Sequence, residues 1–241
     1  MAAFESTWPP AATRRLGRWT LRDGQGGGKR VSAATAGPEP EGALTPADWV
    51  GALPAAETAM RALCQPPLFR LDPEQTALDA ALAARGYRVA DPTVIYAAPT
   101  ARIATERPPP VTTFEVWEPL AIMREIWADG GIGPARLAVM DRATAPKTAL
   151  LGRRADQPAA AAFAAAHRGV AMVHALEVRP DHRGHGLGRW MMRAAAFWAL
   201  AQGAGQLAVA VTRQNTAGNA LYASLGMAVV GSYHYRIKED V

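Results

Sequence analysis

From Arg183 to Gly188 the chain reads RGHGLG, with glycine at 184, 186 and 188. Glycine loses more backbone entropy on folding than any other residue, so this crowding calls for a functional reason. An apolar run, VAMVHALEV (170–178), precedes the loop. After it, Leu187, Met191, Ala194, Ala195 and Trp198 recur at the spacing of one helical face. A strand that enters a helix through glycines leaves backbone N–H groups unpaired at the positive end of the helix dipole. With no side chains in the way, a pyrophosphate can approach that backbone closely. Arg183 and Arg189 flank the loop and could add charge-assisted contacts. A tight turn with incidental glycines is the alternative, because short glycine motifs recur by chance. A dinucleotide site is excluded: its fingerprint spaces the glycines G-x-G-x-x-G and places an acidic residue about twenty positions on. The earlier GGGK, ending at Lys29, is turn chemistry, since no Ser or Thr follows the lysine and no helical pattern opens there.

The elements that must position this loop follow from the hydrophobic pattern. Downstream of the loop helix, QLAVAV is an apolar strand leading to TRQNTAGNALYASLGM, a turn and a short helix. Upstream, PAAAAFAAAHRG is ambiguous because alanine favours helix. Its place between two strand-like runs, with a turn at Arg168–Gly169, makes it a strand paired with VAMVHALEV. VTTFEVW is extended, EPLAIMREIWADGG helical, and RLAVMDR and TALLGRR read as strands. Before Pro108–Pro110, a stiff connector and candidate boundary, runs around Trp19–Arg22 and Lys29–Ala34 form a hairpin. A helix from Thr45–Pro46 to about Leu63 follows, then the strand LFRL, a helix from Asp72–Pro73 to Gly86, and the interrupted strand YRVADPTVIYAA.

The 241 residues suffice for one large domain or two small ones, and 49% hydrophobic with 20% charged residues is an ordinary globular composition. The formal charge of +5 allows anionic partners, but the basic residues are dispersed. They do not interleave with aromatics as in a nucleic-acid module, so nucleic acid is not an expected partner. A single cysteine, Cys64, excludes an intramolecular disulfide and suits a reducing compartment. No run approaches the ~20 apolar residues of a membrane span. MAAFESTWPP lacks the basic and apolar blocks of a signal peptide. A cytoplasmic location without a membrane is therefore expected.

Arg183, Gly184, His185, Gly186, Leu187 and Gly188 together satisfy R/Q-x-x-G-x-G/A. Further on, Asn215 precedes Leu221–Tyr222 and Leu225–Gly226, with Met227 next. In these two motifs, over 170–227, the chain resembles the GNAT-type N-acetyltransferases, which often carry an aromatic where Met227 stands. The family's order of elements can be followed from about 111 to 241. The resemblance implies an α/β (α+β) GNAT fold, a mixed, mostly antiparallel central sheet flanked by helices. It also implies acetyl-CoA as acyl donor, no metal, and a small-molecule or peptide amine as acceptor; homodimers are common in the family. The pyrophosphate would sit on the N–H groups of Arg183, His185, Gly186, Gly188 and Arg189. The pantetheine arm would pair with the main chain of Leu176 and Val178, with Asn215 on its opposite side. Tyr222 corresponds to the tyrosine credited with protonating the departing thiolate, its alternative being a packing residue. Residues 1–107 have an element order that resembles the degenerate N-terminal half of tandem GNAT proteins. No R-x-x-G-x-G precedes Pro108, so CoA binding is expected only in 111–241.

An amine acceptor must lose a proton before it attacks, which requires a base or a water chain. By strand alternation His174, Leu176 and Val178 share one face and Glu177 the other. His174 is one candidate base, with a buried structural histidine as its alternative; Glu177 is the second, and water the third. Ala210 and Thr212 on the next strand offer no carboxylate. In SYHYRIKED, Tyr233 and Tyr235 share a face, with His234 and Arg236 on the other, as part of an acceptor wall or as a cap on the sheet edge. The competing function is a non-catalytic CoA-binding or sensor module with the same fold.

Overall fold

The computed structural model describes residues 2–37, 46–144 and 146–238. Its elements in chain order are α1 (Ala2–Ser6), β1 (Ala12–Leu16), β2 (Trp19–Asp23), α2 (Lys29–Ser32), β3 (Thr35–Ala36), α3 (Pro46–Ala62), β4 (Leu68–Leu71) and α4 (Thr76–Ala84). There follow β5 (Arg88–Pro99), α5 (Thr100–Ile103), β6 (Thr113–Val116), α6 (Ala121–Asp129), α7 (Pro134–Arg142), β7 (Lys147–Arg154) and β8 (Gln157–His167). The chain ends with β9 (Val170–Val178), α8 (Leu187–Ala201), β10 (Gln206–Thr212), α9 (Thr216–Ser224) and β11 (Ala228–Ile237). Thr45, read as the cap of α3, lies outside the described residues, as do Glu239 and Asp240. Among the described residues no helix is long and apolar enough to cross a membrane.

Compactness divides the chain into two interleaved units. The first comprises Met1–Pro9, Ile95–Val211 and Asn215–Val230; the second comprises Pro10–Val94, Thr212–Gln214 and Gly231–Val241. In the first unit the strand order is β5-β10-β9-β8-β7-β6. The pairs β6–β7, β7–β8 and β8–β9 are antiparallel, and β9–β10 is parallel. At its centre Ala159–Ala166 is buried throughout. Helix propensity loses here because β8 is covered on both faces, by α8 on one side and by α1 and α6 on the other. Alanine lets those helices come close, and Phe163 alone is large, meeting the rings of Trp8, Trp117 and His174. On neighbouring β7, a Cβ added at Gly152 would stand 2.7 Å from Met191 Sδ and 2.9 Å from Ala160 Cβ. That position holds α8 against the sheet.

The second unit packs the three-stranded sheet β1-β2-β3 with α3, α4 and β4 around Trp19, Trp49, Leu53, Met60, Phe69 and Leu82. There β11 runs between β4 and β5, antiparallel to β4. Tyr233 and Tyr235 are buried on one face, while His234 and Arg236 reach Asp79 of α4 from the other, at 2.8 and 2.7 Å. The two bonds hold the Asp79 carboxyl down at about 2, the Arg236 guanidinium contributing most.

Four sequence expectations are corrected. The hairpin is β1–β2, turning at Gly17 with φ +55°, and Lys29–Ser32 is a helical turn rather than a second strand. RLAVMDR lies in α7: Pro134 at the first turn after Gly133 presets a helical φ, and Val139 and Met140 supply the buried face. The helix expected from Asp72–Pro73 begins only at Thr76. Finally, β11 has β4 beyond it and is not the edge strand its sequence suggested.

Candidate functional site

The site is built where β9 leaves the sheet. Its pairing with β10 ends at Val173↔Val209. Against β8 the register runs Ala164↔Val173 and Phe163↔His174, then resumes at Ala161↔Glu177 and Ala160↔Val178. One extra residue on β9 makes this a bulge, with Ala175 at φ +51°. Residues opposite each other across an antiparallel pair face the same way. His174 opposite Phe163 and Glu177 opposite Ala161 therefore share one face, and Val178 opposite Ala160 takes the other. This corrects the alternation expected for His174, Leu176 and Val178. The bulge is held by the Trp127 indole, whose Nε1 donates to Ala175 O at 2.8 Å.

Beyond Val178 a short 3₁₀ turn, Pro180–His182, delivers the glycine loop. Gly184 and Gly186 have φ +76° and +81°, in the left-handed region where glycine is favoured, and open space lies where a Cβ would stand. Gly186 caps the 15-residue α8 with no side-chain cap bond. The N–H groups of Arg183 and Arg189, expected to face an anion, are instead taken by Pro180 O and Gly186 O, each at 3.1 Å. Among the described residues, those of Gly184 to Gly188 have no backbone acceptor. These groups, at the start of a long helix with room beside them, fit a pyrophosphate.

A cleft of about 650 Å³ joins the parts. Leu176, Glu177, Val178, Arg183, Gly184, Gly186, Leu187, Gly188, Arg189, Asn215 and Tyr222 all line it. Its far wall is α9, whose Ala217, Ala220, Leu221 and Ser224 face it at the spacing of one helical stripe. Sequence reasoning did not single out that stripe, although its period was there to read. Asn215 caps α9 by accepting from Gly218 N–H at 2.8 Å. The Arg189 guanidinium donates to Ser224 Oγ at 3.2 Å, tying α8 to α9. Tyr222 is buried, and burial pushes its hydroxyl up to about 12. Its ring lies 5.8 Å from that of Tyr96, whose hydroxyl donates to Asn219 Oδ1.

The two proposed bases are placed differently. His174 does not line the cleft. It is buried beside Trp8, and its Nε2 is 3.0 Å from Thr7 Oγ1. That hydroxyl already donates to Ala3 O at 2.7 Å, so it accepts from His174, which fixes the proton on Nε2. Glu177 lines the cleft but pairs with Arg183, whose Nη2 donates to Oε1 at 2.8 Å while its Nε donates to Val178 O at 2.8 Å. His185 lines a separate pocket with Arg153, Arg154 and Trp190.

Residues 120–227 match the acetyltransferase (GNAT) family. Over 61 residues the chain is 36% identical to an uncharacterized N-acetyltransferase, YobR, of Bacillus subtilis, covering 25% of each chain. Over 56 residues it is 45% identical to the streptothricin acetyltransferase of Streptomyces lavendulae, covering 23% of this chain and 30% of that one. The chain thus spans less than a third of the length of these relatives. In fold it is similar to a GCN5-related N-acetyltransferase from Kribbella flavida, with TM-score 0.70 and 18% identity over 96% of this chain and 91% of the other. Over residues 120–227 the chain is thus similar to the acetyltransferase (GNAT) family, and its fold is similar to that of the Kribbella flavida protein.

Proposed function

We propose that the chain is an acetyl-CoA-dependent N-acetyltransferase that acetylates a primary amine by direct attack in a ternary complex. The observation that supports this most is the cleft, in which the Gly184–Gly188 loop, the end of β9, Asn215 and Tyr222 converge. The donor supplies an acetyl group activated as a thioester. The loop N–H groups hold its pyrophosphate, and the main chain of Leu176 and Val178, released from β10 by the bulge, lies along its arm. A neutral amine attacks the carbonyl carbon, and the C–N bond forms as the C–S bond breaks. Tyr222 is protonated throughout the neutral range, gives its proton to the departing sulfur, and regains one from water. Water takes the amine proton, because His174 lies outside the cleft and Glu177 is held by Arg183. The acceptor is a small-molecule or peptide amine. Residues 1–107 are a degenerate GNAT-like half that binds no CoA, and 111–241 is the acetyltransferase domain.

The engagement of Glu177 favours a second reading, a module that binds CoA without catalysis. Millimolar acetyl-CoA should raise the thermal midpoint, and Gly186→Trp should abolish the rise. No rise with the wild-type protein refutes both readings. A rise without acetyl transfer across a panel of amines and peptides, followed by release of CoA thiol, selects the second.

A further inference from the structure

We propose that the pocket behind the glycine loop, lined by Arg153, Arg154, His185 and Trp190, binds the 3′-phosphorylated ribose end of the same donor. This rests on the reading of the cleft as a CoA site. The loop is the partition between two spaces: Gly184 and Gly186 line the cleft, His185 between them lines the pocket, and Leu187 lines both. A ligand whose pyrophosphate rests on the loop therefore has its next group at the mouth of the pocket. The pocket measures about 280 Å³. That is near the lower limit of about 300 Å³ for spaces that enclose a whole small ligand, and it suits one end of a larger one.

Its chemistry is that of an anion site with an aromatic wall. Arg153 and Arg154 end β7, just before a two-residue turn in which Ala155 and Asp156 have φ +50° and +58°. Positive φ at both central positions matches the twist of the flanking strands and fixes the hairpin tip. Arg153 is further held by donating to Asp156 O at 3.0 Å, with the Asp156 carboxylate 3.7 Å away. That carboxylate is 96% exposed and weakly coupled to the pocket. Arg154 has no acidic partner among the described residues, so the two arginines and Asp156 leave a net positive charge. Trp190 offers a ring face against which a ribose or purine can pack, and Arg193 stands over its ring at 4.9 Å from the centroid. CoA carries a phosphate at its ribose 3′ position in addition to the pyrophosphate, and Arg153 and Arg154 give this pocket two cations of its own.

The test compares the dissociation constants of CoA and 3′-dephospho-CoA by titration calorimetry, which needs no acceptor. Wild type should bind CoA about tenfold more tightly, the effect of one charge-assisted contact at a half-exposed site. Arg154→Ala should reduce that ratio to about twofold by weakening CoA alone, Arg153→Ala should reduce it in the same direction, and Arg154→Glu should invert it. Unchanged melting of the unliganded variants shows that they fold. If Arg154→Ala and Arg153→Ala both keep the wild-type ratio, or weaken both ligands equally, the pocket assignment is overturned while the cleft remains a CoA site. If wild type binds neither ligand, the pocket and the cleft readings fall together.

Discussion

Gly186 and Gly169 form a matched pair that separates the folding role of a glycine from its ligand role. Their φ angles are +81° and +79°, and neither has an atom within 4 Å of where a Cβ would stand. Gly169 turns β8 into β9, whereas Gly186 lines the cleft at the head of α8. Alanine at either position meets the same backbone penalty, roughly 1–2 kcal/mol for a left-handed residue. In a chain of this size that lowers the thermal midpoint by about 2–8 °C. Donor binding should divide the pair. Acetyl-CoA at about a hundred times its dissociation constant should stabilise the wild type by about 2.7 kcal/mol, and Gly169→Ala should keep that increment. In Gly186→Ala the methyl occupies the space beside the loop N–H groups. Losing two charge-assisted bonds there weakens binding about a hundredfold, which reduces the increment to about 0.4 kcal/mol. The assay is thermal unfolding of the three proteins with and without acetyl-CoA. A full increment in Gly186→Ala, or its loss in Gly169→Ala, would falsify the assignment of the loop as the anion cradle.

Tyr222→Phe should lower kcat by roughly 10²-fold with little change in KM for acetyl-CoA. Because burial holds the Tyr222 hydroxyl near 12, the wild-type rate should show no alkaline limb from this group below about pH 10 in a steady-state pH profile. Asp79, lowered from 3.8 to about 2 in the folded chain, stabilises it above pH 3.8, and that stability is lost as pH falls from 3.8 towards 2. The loss should be about 1–2 kcal/mol after allowing for its partial exposure, and urea denaturation of Asp79→Asn should show a flatter dependence across that window. Gly152→Ala forces its methyl against Met191 and Ala160 and should cost about 1–3 kcal/mol in the same assay. Gly205→Ala, in open space, serves as its control and should cost less.

What could be read from the sequence depended on the range of the physics involved. The Arg183–Gly188 loop, the apolar stripe of α8 and the order strand, loop, helix, strand, helix are local patterns, and they reappear where the spacing puts them. The alanine run of β8 was legible only through its neighbours, since its own propensity favours helix. RLAVM is too short for periodicity to decide, and Pro134 at the first turn carried the deciding information. The interleaving of the two units, in which Met1–Pro9 joins the unit of β8 and β9, depends on contacts between distant residues such as Thr7 and His174. No sequence window contains both.

The bulge at Ala175 shows the same limit at the site itself. An alanine at φ +51° is locally unfavourable, by roughly 1 kcal/mol or more. It persists because Trp127 binds its carbonyl from one side, while pairing with β8 resumes beyond it at Ala161↔Glu177. The extra residue has three linked consequences. Glu177 moves onto the face of His174 and comes against Gly130, where an added Cβ would lie 2.7 Å from its side chain. Val178 moves onto the α8 face, placing its carbonyl where the Arg183 Nε donates to it. And β9 departs from β10 after Val173, so the main chain that would have completed the sheet lines a cleft instead. Strict alternation through VAMVHALEV would have continued the sheet and closed that space. The cleft therefore exists because the strand breaks its own period, and for that reason the strand's period could not reveal it.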